Sequence, residues 1–142
     1  MKTYSSDNST AMANAEDAIY PNIGHLIEQQ VFNVANACIN GYAGGTWQFK
    51  SDGQIGYWVY PDQTKYSVSV GTNGYGNDHM DADSLGLAIT IIAVNRLMWH
   101  FHSTGGYQDA QRVLHERYHA LRDLAFNDDS PFDAGAIYGF ID

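Results

Sequence analysis

The chain has 142 residues, 44% of them hydrophobic and 13% aromatic, with 16 acidic side chains against 7 basic ones and a net charge of −9. This is the length of one ordinary domain with enough apolar material for a real core, which excludes general disorder. A single cysteine excludes an internal disulfide framework and a cysteine-based zinc site, and the acidic balance disfavours direct nucleic-acid binding, which needs clustered Lys and Arg.

From Met1 to Asp17 the sequence is polar and rich in small residues, without the apolar stretch of a secretory signal. Residues 1–20 are therefore expected to be a flexible leader, with residues 21–142 forming one domain. Pro21-Asn22 looks like the start of a helix. Ile23, Leu26, Ile27, Val31, Val34, Ala35 and Cys38 then recur at spacings of three and four, ending near Asn40-Gly41. Cys38 falls on the apolar side of that pattern, where a buried structural thiol is expected.

Past Gly44-Gly45 the period changes to two. Trp47 and Phe49 share a face opposite Thr46, Gln48 and Lys50, and Asp52-Gly53 is a hairpin signal. Ile55, Tyr57 and Val59 alternate with Trp58 and Tyr60, Pro61-Asp62 opens a turn, and Tyr66, Val68 and Val70 alternate with Lys65, Ser67 and Ser69. These three strands predict an antiparallel meander with one face for helices. Trp47, Tyr57, Trp58 and Tyr60 would suit a base-stacking platform, but they have no basic neighbours, which favours a core or an interface.

The loop Gly71-Thr72-Asn73-Gly74-Tyr75-Gly76-Asn77 lacks both the Gly-Lys-Ser/Thr ending of a phosphate loop and the GxGxxG spacing, and reads as a turn. Asp81 or Asp83 then caps a helix reaching about His102, apolar nearly all round and so central to the core. Its longest apolar run, Leu85 to Val94 interrupted by Thr90, is far short of the roughly 20 residues that cross a bilayer, so a soluble, cytoplasmic protein is expected. Gly105-Gly106 separates it from a helix over about Gln108–Phe126 with an inner stripe of Val113, Leu114, Tyr118, Leu121, Leu124 and Ala125. Arg112, Arg117 and Arg122 on that helix are interleaved with Glu116 and Asp123, the pattern of a solvated face. Ser130-Pro131 starts a short last helix. The fold class is α+β: a small antiparallel sheet of three to four strands packed with about four helices.

Within the third helix, His115-Glu116-Arg117-Tyr118-His119 spells H-E-x-x-H, in which two histidines on one helical face hold Zn²⁺ and the glutamate activates its water. A third ligand is needed, and the sequence offers only Asp128, Asp129 or Asp133. Arg117 lies between the histidines in a helix that peptidases bury, and only 23 residues follow His119, which is little chain for a second lobe. His100 and His102, two apart, share no helical face. The favoured reading is a structural pair of helix histidines, with no catalytic residue, metal or cofactor.

Larger blocks of the sequence resemble a known family. Asn40-Gly41-Tyr42 through Trp47-Gln48-Phe49, Gly56-Tyr57-Trp58 with Pro61, Asn73-Gly74-Tyr75-Gly76, Met80-Asp81-Ala82-Asp83-Ser84-Leu85-Gly86-Leu87, Arg117-Tyr118-His119-Ala120-Leu121-Arg122 and the Ile141-Asp142 end are similar, in order, to the ArdB/KlcA-type antirestriction proteins of plasmids and mobile elements. The resemblance implies a small α+β protein that relieves type I restriction of incoming plasmid or phage DNA in a bacterial host, and it carries over no catalytic residues. The family pattern does not require histidine at the position of His115. The chain departs from the pattern at Asp81, where serine is the common cap, and over Asn127–Asp133, which is longer and more acidic.

Dense phosphate-like carboxylates are absent: acids cluster only at Asp78, Asp81 and Asp83 and at Asp128, Asp129 and Asp133, where helix starts are expected. Action by protein–protein contact, on the restriction complex or an associated host factor, is expected in place of DNA binding or mimicry, with no membrane partner. The expected surface combines those six aspartates with Asn73 and Tyr75 of the glycine-rich loop.

Overall fold

The computed structural model describes residues 1–142, in the order β1 (Lys2–Tyr4), α1 (Ser9–Ile19), α2 (Gly24–Cys38), β2 (Gln48–Ser51), β3 (Gly56–Val59), β4 (Lys65–Val70), β5 (Tyr75–Asp81), α3 (Ala82–Thr104), α4 (Gln108–Phe126) and α5 (Ala134–Ile141). This is the expected α+β class, with five helices and the strands divided between two antiparallel sheets, β1-β2-β3 and β4-β5.

The expected three-strand meander is corrected at its second joint. β2 and β3 form the hairpin, turning at Asp52, whose carboxylate accepts from the N–H groups of Gln54 and Ile55 at 2.8 and 2.9 Å. β4, however, pairs with β5. The free edge of β3 is already taken by α3. Thr90 Oγ1 accepts the Trp58 N–H at 3.1 Å and donates to the Gly86 carbonyl at 2.8 Å. A Cβ on Gly86 would stand 2.3 Å from the Trp58 carbonyl oxygen, so only glycine allows the helix this close. On the other side, β4 is bridged at Val68 by Ile39, and the Asn40 N–H donates to the Ser67 carbonyl at 2.9 Å. The Trp58 N–H and the Ser67 carbonyl at the gap are therefore satisfied without a neighbouring strand. β5 itself escapes notice in sequence because Met80 is its only buried residue.

Residues 1–20, expected as a flexible leader, are ordered. β1 pairs with β2 in register Thr3–Lys50, and α1 buries Met12 and Ile19. Tyr20, fully buried, stacks on Trp58 at 5.5 Å and donates its hydroxyl to the Gly56 carbonyl at 2.7 Å. The small polar residues hide a helix because Asn8 caps it and only one side of α1 needs apolar groups.

α3 is the central element, packed against α2, α4, α5 and β3. By length and composition it would serve as a membrane span, but 67% of its most apolar window is buried inside the protein. α4 has the bounds predicted for it, with Leu114, Leu121 and Ala125 buried. α5 starts later than expected. Asp133 caps it, accepting from the Ala136 N–H at 3.1 Å, while Ser130 accepts from Phe132 in the preceding turn. Cys38 is buried, as expected, and that burial pushes its thiol above the ordinary range.

Two predictions concern this framework. Thr90→Val keeps the shape but strands the Trp58 N–H inside the protein, and urea denaturation should show a loss of about 1–3 kcal/mol. The second concerns the α1–α2 contact, where half-buried Glu16 accepts from the Trp58 indole N–H at 3.1 Å. Burial first, and then the charge and hydrogen bond of Glu28, push its carboxyl from 4.5 up to about 7. A raised carboxyl pKa stabilises the fold at low pH, and that contribution is lost as pH rises through about 7. Glu16→Gln should therefore raise the melting temperature at pH 8 and leave it little changed near pH 5. The gain is about 1 kcal/mol, reduced from the full shift because the carboxyl is half exposed.

Candidate functional site

Of the two acidic clusters expected from the sequence, Asp81 and Asp133 are linked at the starts of α3 and α5. Asp81 caps α3, its Oδ1 accepting from the Ser84 N–H at 2.8 Å. The Ser84 hydroxyl, fully buried, accepts the Asp133 N–H at 2.9 Å, and Asp133 in turn caps α5. One buried serine thus stitches together two helix starts 49 residues apart. Carboxylates at both are favoured by the free N–H groups there.

Asp83, in the first turn of α3, faces the β1-β2-β3 sheet. Its Oδ1 receives Lys50 Nζ at 2.7 Å and the Tyr57 hydroxyl at 3.1 Å. Tyr57 is buried, and burial followed by the Asp83 charge drives its hydroxyl well above the ordinary range, so it stays protonated and donates to Asp83. The ion pair is partly open to solvent, with side-chain exposures of 24% and 43%, and so adds only modest stability. Around it lies an open cleft of about 390 Å³ lined by Met1, Thr3, Lys50, Tyr57, Asp81, Asp83, Leu124, Pro131 and Phe132. The Phe132 ring meets Tyr57 edge-on at 5.7 Å. The acidic turn 127–133 forms one wall of this cleft through Pro131 and Phe132.

The remaining expected surface residues divide by what they touch. Asn73 Nδ2 donates to the carbonyls of Gly139 and Phe140 at 3.1 and 3.5 Å, and its Oδ1 accepts the Tyr75 N–H at 2.9 Å. Tyr75 lies so close to α5 that a Cβ on Gly139 would be 2.2 Å from its ring. This pair ties the β4–β5 hairpin to the last helix. Asp78 accepts from the Ser67 hydroxyl at 3.0 Å across that hairpin. Asp128 and Asp129 are exposed, and neither carboxylate has a protein partner. Of the Trp47, Tyr57, Trp58 and Tyr60 set, the first three are buried in the core and Tyr60 is half-buried against it: Trp47 and Tyr60 stack at 5.2 Å, and the Tyr42 hydroxyl accepts the Trp47 indole N–H.

The H-E-x-x-H segment lies on the outer side of α4. The rings of His115 and His119 are 4.6 Å apart and both residues are exposed. Glu116 pairs with Arg112 at 3.7 Å along the helix. Asp128, Asp129 and Asp133 do not join them, and no three potential ligands converge anywhere in the chain. The residue with structural weight here is Arg117, whose Nε donates to the Ile19 carbonyl at 2.9 Å and fastens α4 to the end of α1. Sequence reasoning passed over it because its charge fitted a solvated face.

The architecture is that of a solved structure of KlcA/ArdB proteins, which it matches with a TM-score of 0.71 and 23% identity over 99% of this chain and 94% of that one. The chain belongs to the antirestriction protein family, whose model matches residues 40–142. It is 29% identical over 116 residues to the antirestriction protein KlcA of Escherichia coli, spanning 81% of this chain and 74% of KlcA. It is 27% identical over 100 residues to YubI of Escherichia coli K12, spanning 65% and 70% of the two chains.

Arg117→Ala should destabilise the protein by about 1–2 kcal/mol, since it leaves the Ile19 carbonyl unpaired where α1 packs. His115→Ala and His119→Ala, both on the solvent side, should change stability by no more than about 0.5 kcal/mol. Thermal denaturation of the three variants in parallel checks the order.

Proposed function

We propose that this protein relieves type I restriction of incoming plasmid or phage DNA inside the bacterial cytoplasm, by contact with the restriction complex or an associated host factor and without catalysis. Membership of the antirestriction family carries the reading. The structurally similar KlcA and ArdB proteins are described as active against type I DNA restriction systems in vivo but not in vitro. Activity that needs the cell fits a protein whose effect passes through another host component.

Three features of the chain support contact over chemistry or DNA binding. Its net charge is −9, opposing approach to a phosphate backbone. The imidazoles of His115 and His119 face solvent without a third ligand, while Glu116 is engaged with Arg112. The acidic rim beside the Lys50–Asp83–Tyr57 cleft offers carboxylates to a basic partner. Within that rim Asp128 and Asp129 are free of internal duties, whereas Asp81 and Asp133 also cap helices.

Expression of the chain in a restricting host should raise the plating of unmodified phage and leave plating on a non-restricting host unchanged; no rise on the restricting host would refute the proposal. Asp128→Lys with Asp129→Lys should lower the rescue about tenfold in a protein of unchanged melting temperature, as for loss of a charged contact. Full rescue by that double variant would remove this rim from the contact surface.

A further inference from the structure

Asparagine is followed by glycine at two places in the chain, Asn40-Gly41 and Asn73-Gly74. In such a pair the glycine nitrogen has easy access to the asparagine amide, because no side chain on the second residue stands in the way. Both pairs lie in turns, and both glycines have a φ of 76°. Their hydrogen bonds set them apart. The Gly74 N–H donates to the Val70 carbonyl at 2.9 Å. The Asn73 amide is held at Nδ2 by the Gly139 and Phe140 carbonyls and at Oδ1 by the Tyr75 N–H. The Gly41 N–H, by contrast, has no acceptor in the protein, and a Cβ on Gly41 would meet nothing within 4 Å. Asn40 and Gly41 are both exposed, so water reaches the pair freely.

The Asn40 amide is nevertheless in structural use. Its Nδ2 donates to Ser67 Oγ at 2.8 Å, and the Ser67 hydroxyl gives its one proton to Asp78 Oδ1 at 3.0 Å. Beside this relay the Asn40 N–H donates to the Ser67 carbonyl, and Ile39 bridges Val68. The seam so formed joins the end of α2 to β4. A carboxylate in place of the Asn40 amide has no proton to donate. Two carboxylates, at positions 40 and 78, would then flank one hydroxyl that can bond only one of them, and their like charges would repel.

We propose that Asn40-Gly41 is a self-modifying site, at which loss of the Asn40 amide as ammonia unlatches the end of α2 from β4. The Gly41 nitrogen bonds to Asn40 Cγ and gives up its proton, while the Cγ–Nδ2 bond breaks and Nδ2 departs as ammonia with that proton. Water then opens the cyclic imide. Attack at Cγ leaves an aspartate, and attack at the main-chain carbonyl leaves an isoaspartate, whose backbone runs through Cγ. Water is the only co-reactant. The step does not reverse, so the seam loosens as the molecule ages, while the Asn73 pair is spared because the Gly74 nitrogen is engaged. The inference is independent of the antirestriction reading, since it concerns how long the folded protein lasts, whatever it contacts.

The test incubates the full chain in warm, mildly alkaline buffer, folded and in concentrated urea. Each conversion adds one mass unit, which fragmentation of tryptic peptides assigns to a residue. In the folded protein the gain should appear at position 40 about tenfold faster than at position 73, which reacts only after local opening. Urea should bring the two rates together. Equal rates in the folded protein, or a faster gain at position 73, would overturn the site. Asn40→Asp supplies the product directly. It should melt about 4 °C below the unaltered chain, the shift for one lost hydrogen bond in a domain of this length. In an Asp78→Asn background, where one carboxylate in place of two faces Ser67, the same change should lower the melting temperature by less than half as much. An unchanged melting temperature for Asn40→Asp, or an equal loss in both backgrounds, would overturn the unlatching.

Discussion

The structure depends on how closely one helix lies against one strand edge. β3 has a free side that in most sheets would receive another strand, and here it receives α3. Glycine at 86 lets the helix backbone reach the strand, and the hydroxyl of Thr90 takes the place of a ladder partner for Trp58. The arrangement leaves Trp58 with no exposed surface and fixes the rotation of α3. That rotation in turn directs Asp83 towards Lys50 and Tyr57, presents Ser84 to the turn before α5, and leaves Trp99 outside at the far end. The placing of Asp83 and Ser84 beside the acidic turn thus follows from a single contact between helix and strand.

How much of this could be read from sequence varied with the kind of information each element carries. α2, α3 and α4 were legible because their apolar residues repeat at helical spacing over many turns, and α4 was bounded to the residue. The pairing of strands was not legible. Alternation in Lys65–Val70 reveals a strand and one buried face, but it is silent about which neighbour supplies the hydrogen bonds. The decisive clue was Thr90, the one hydroxyl in the apolar run from Leu85 to Val94. A polar side chain at the centre of a buried helix needs a partner, and that partner marks where the sheet ends. α1 was missed for the opposite reason, because its short apolar side is diluted by exposed small residues.

The candidate surface shows the same limit. Clustered aspartates were visible in the sequence, and so was their fitness as caps. Their convergence was not, since it passes through the buried hydroxyl of Ser84, which no periodicity distinguishes. Asn73 and Tyr75 lay in a loop that looked free because of its glycines, yet both hold the last helix. The family resemblance brought out these blocks together, and the geometry supplies a structural reason for each: close approach at Gly86, a cap at Asp81, and a clasp at Asn73.

That clasp has a consequence for cooperativity. α5 has eight residues, well below the length at which an isolated helix holds together in water. Its order is borrowed from α3, against which it packs with Ala136, Ile137 and Phe140 buried, and from the clasps at its ends, Asn73 and Tyr75 at one and the Asp133–Ser84 hydrogen bond at the other. The β4–β5 hairpin and the end of α5 are therefore clasped directly, despite the 66 residues that separate Asn73 from Gly139. A fluctuation that opens the hairpin therefore loosens the C-terminal end of α5 first, while the acidic turn at its start stays held to α3 through Ser84.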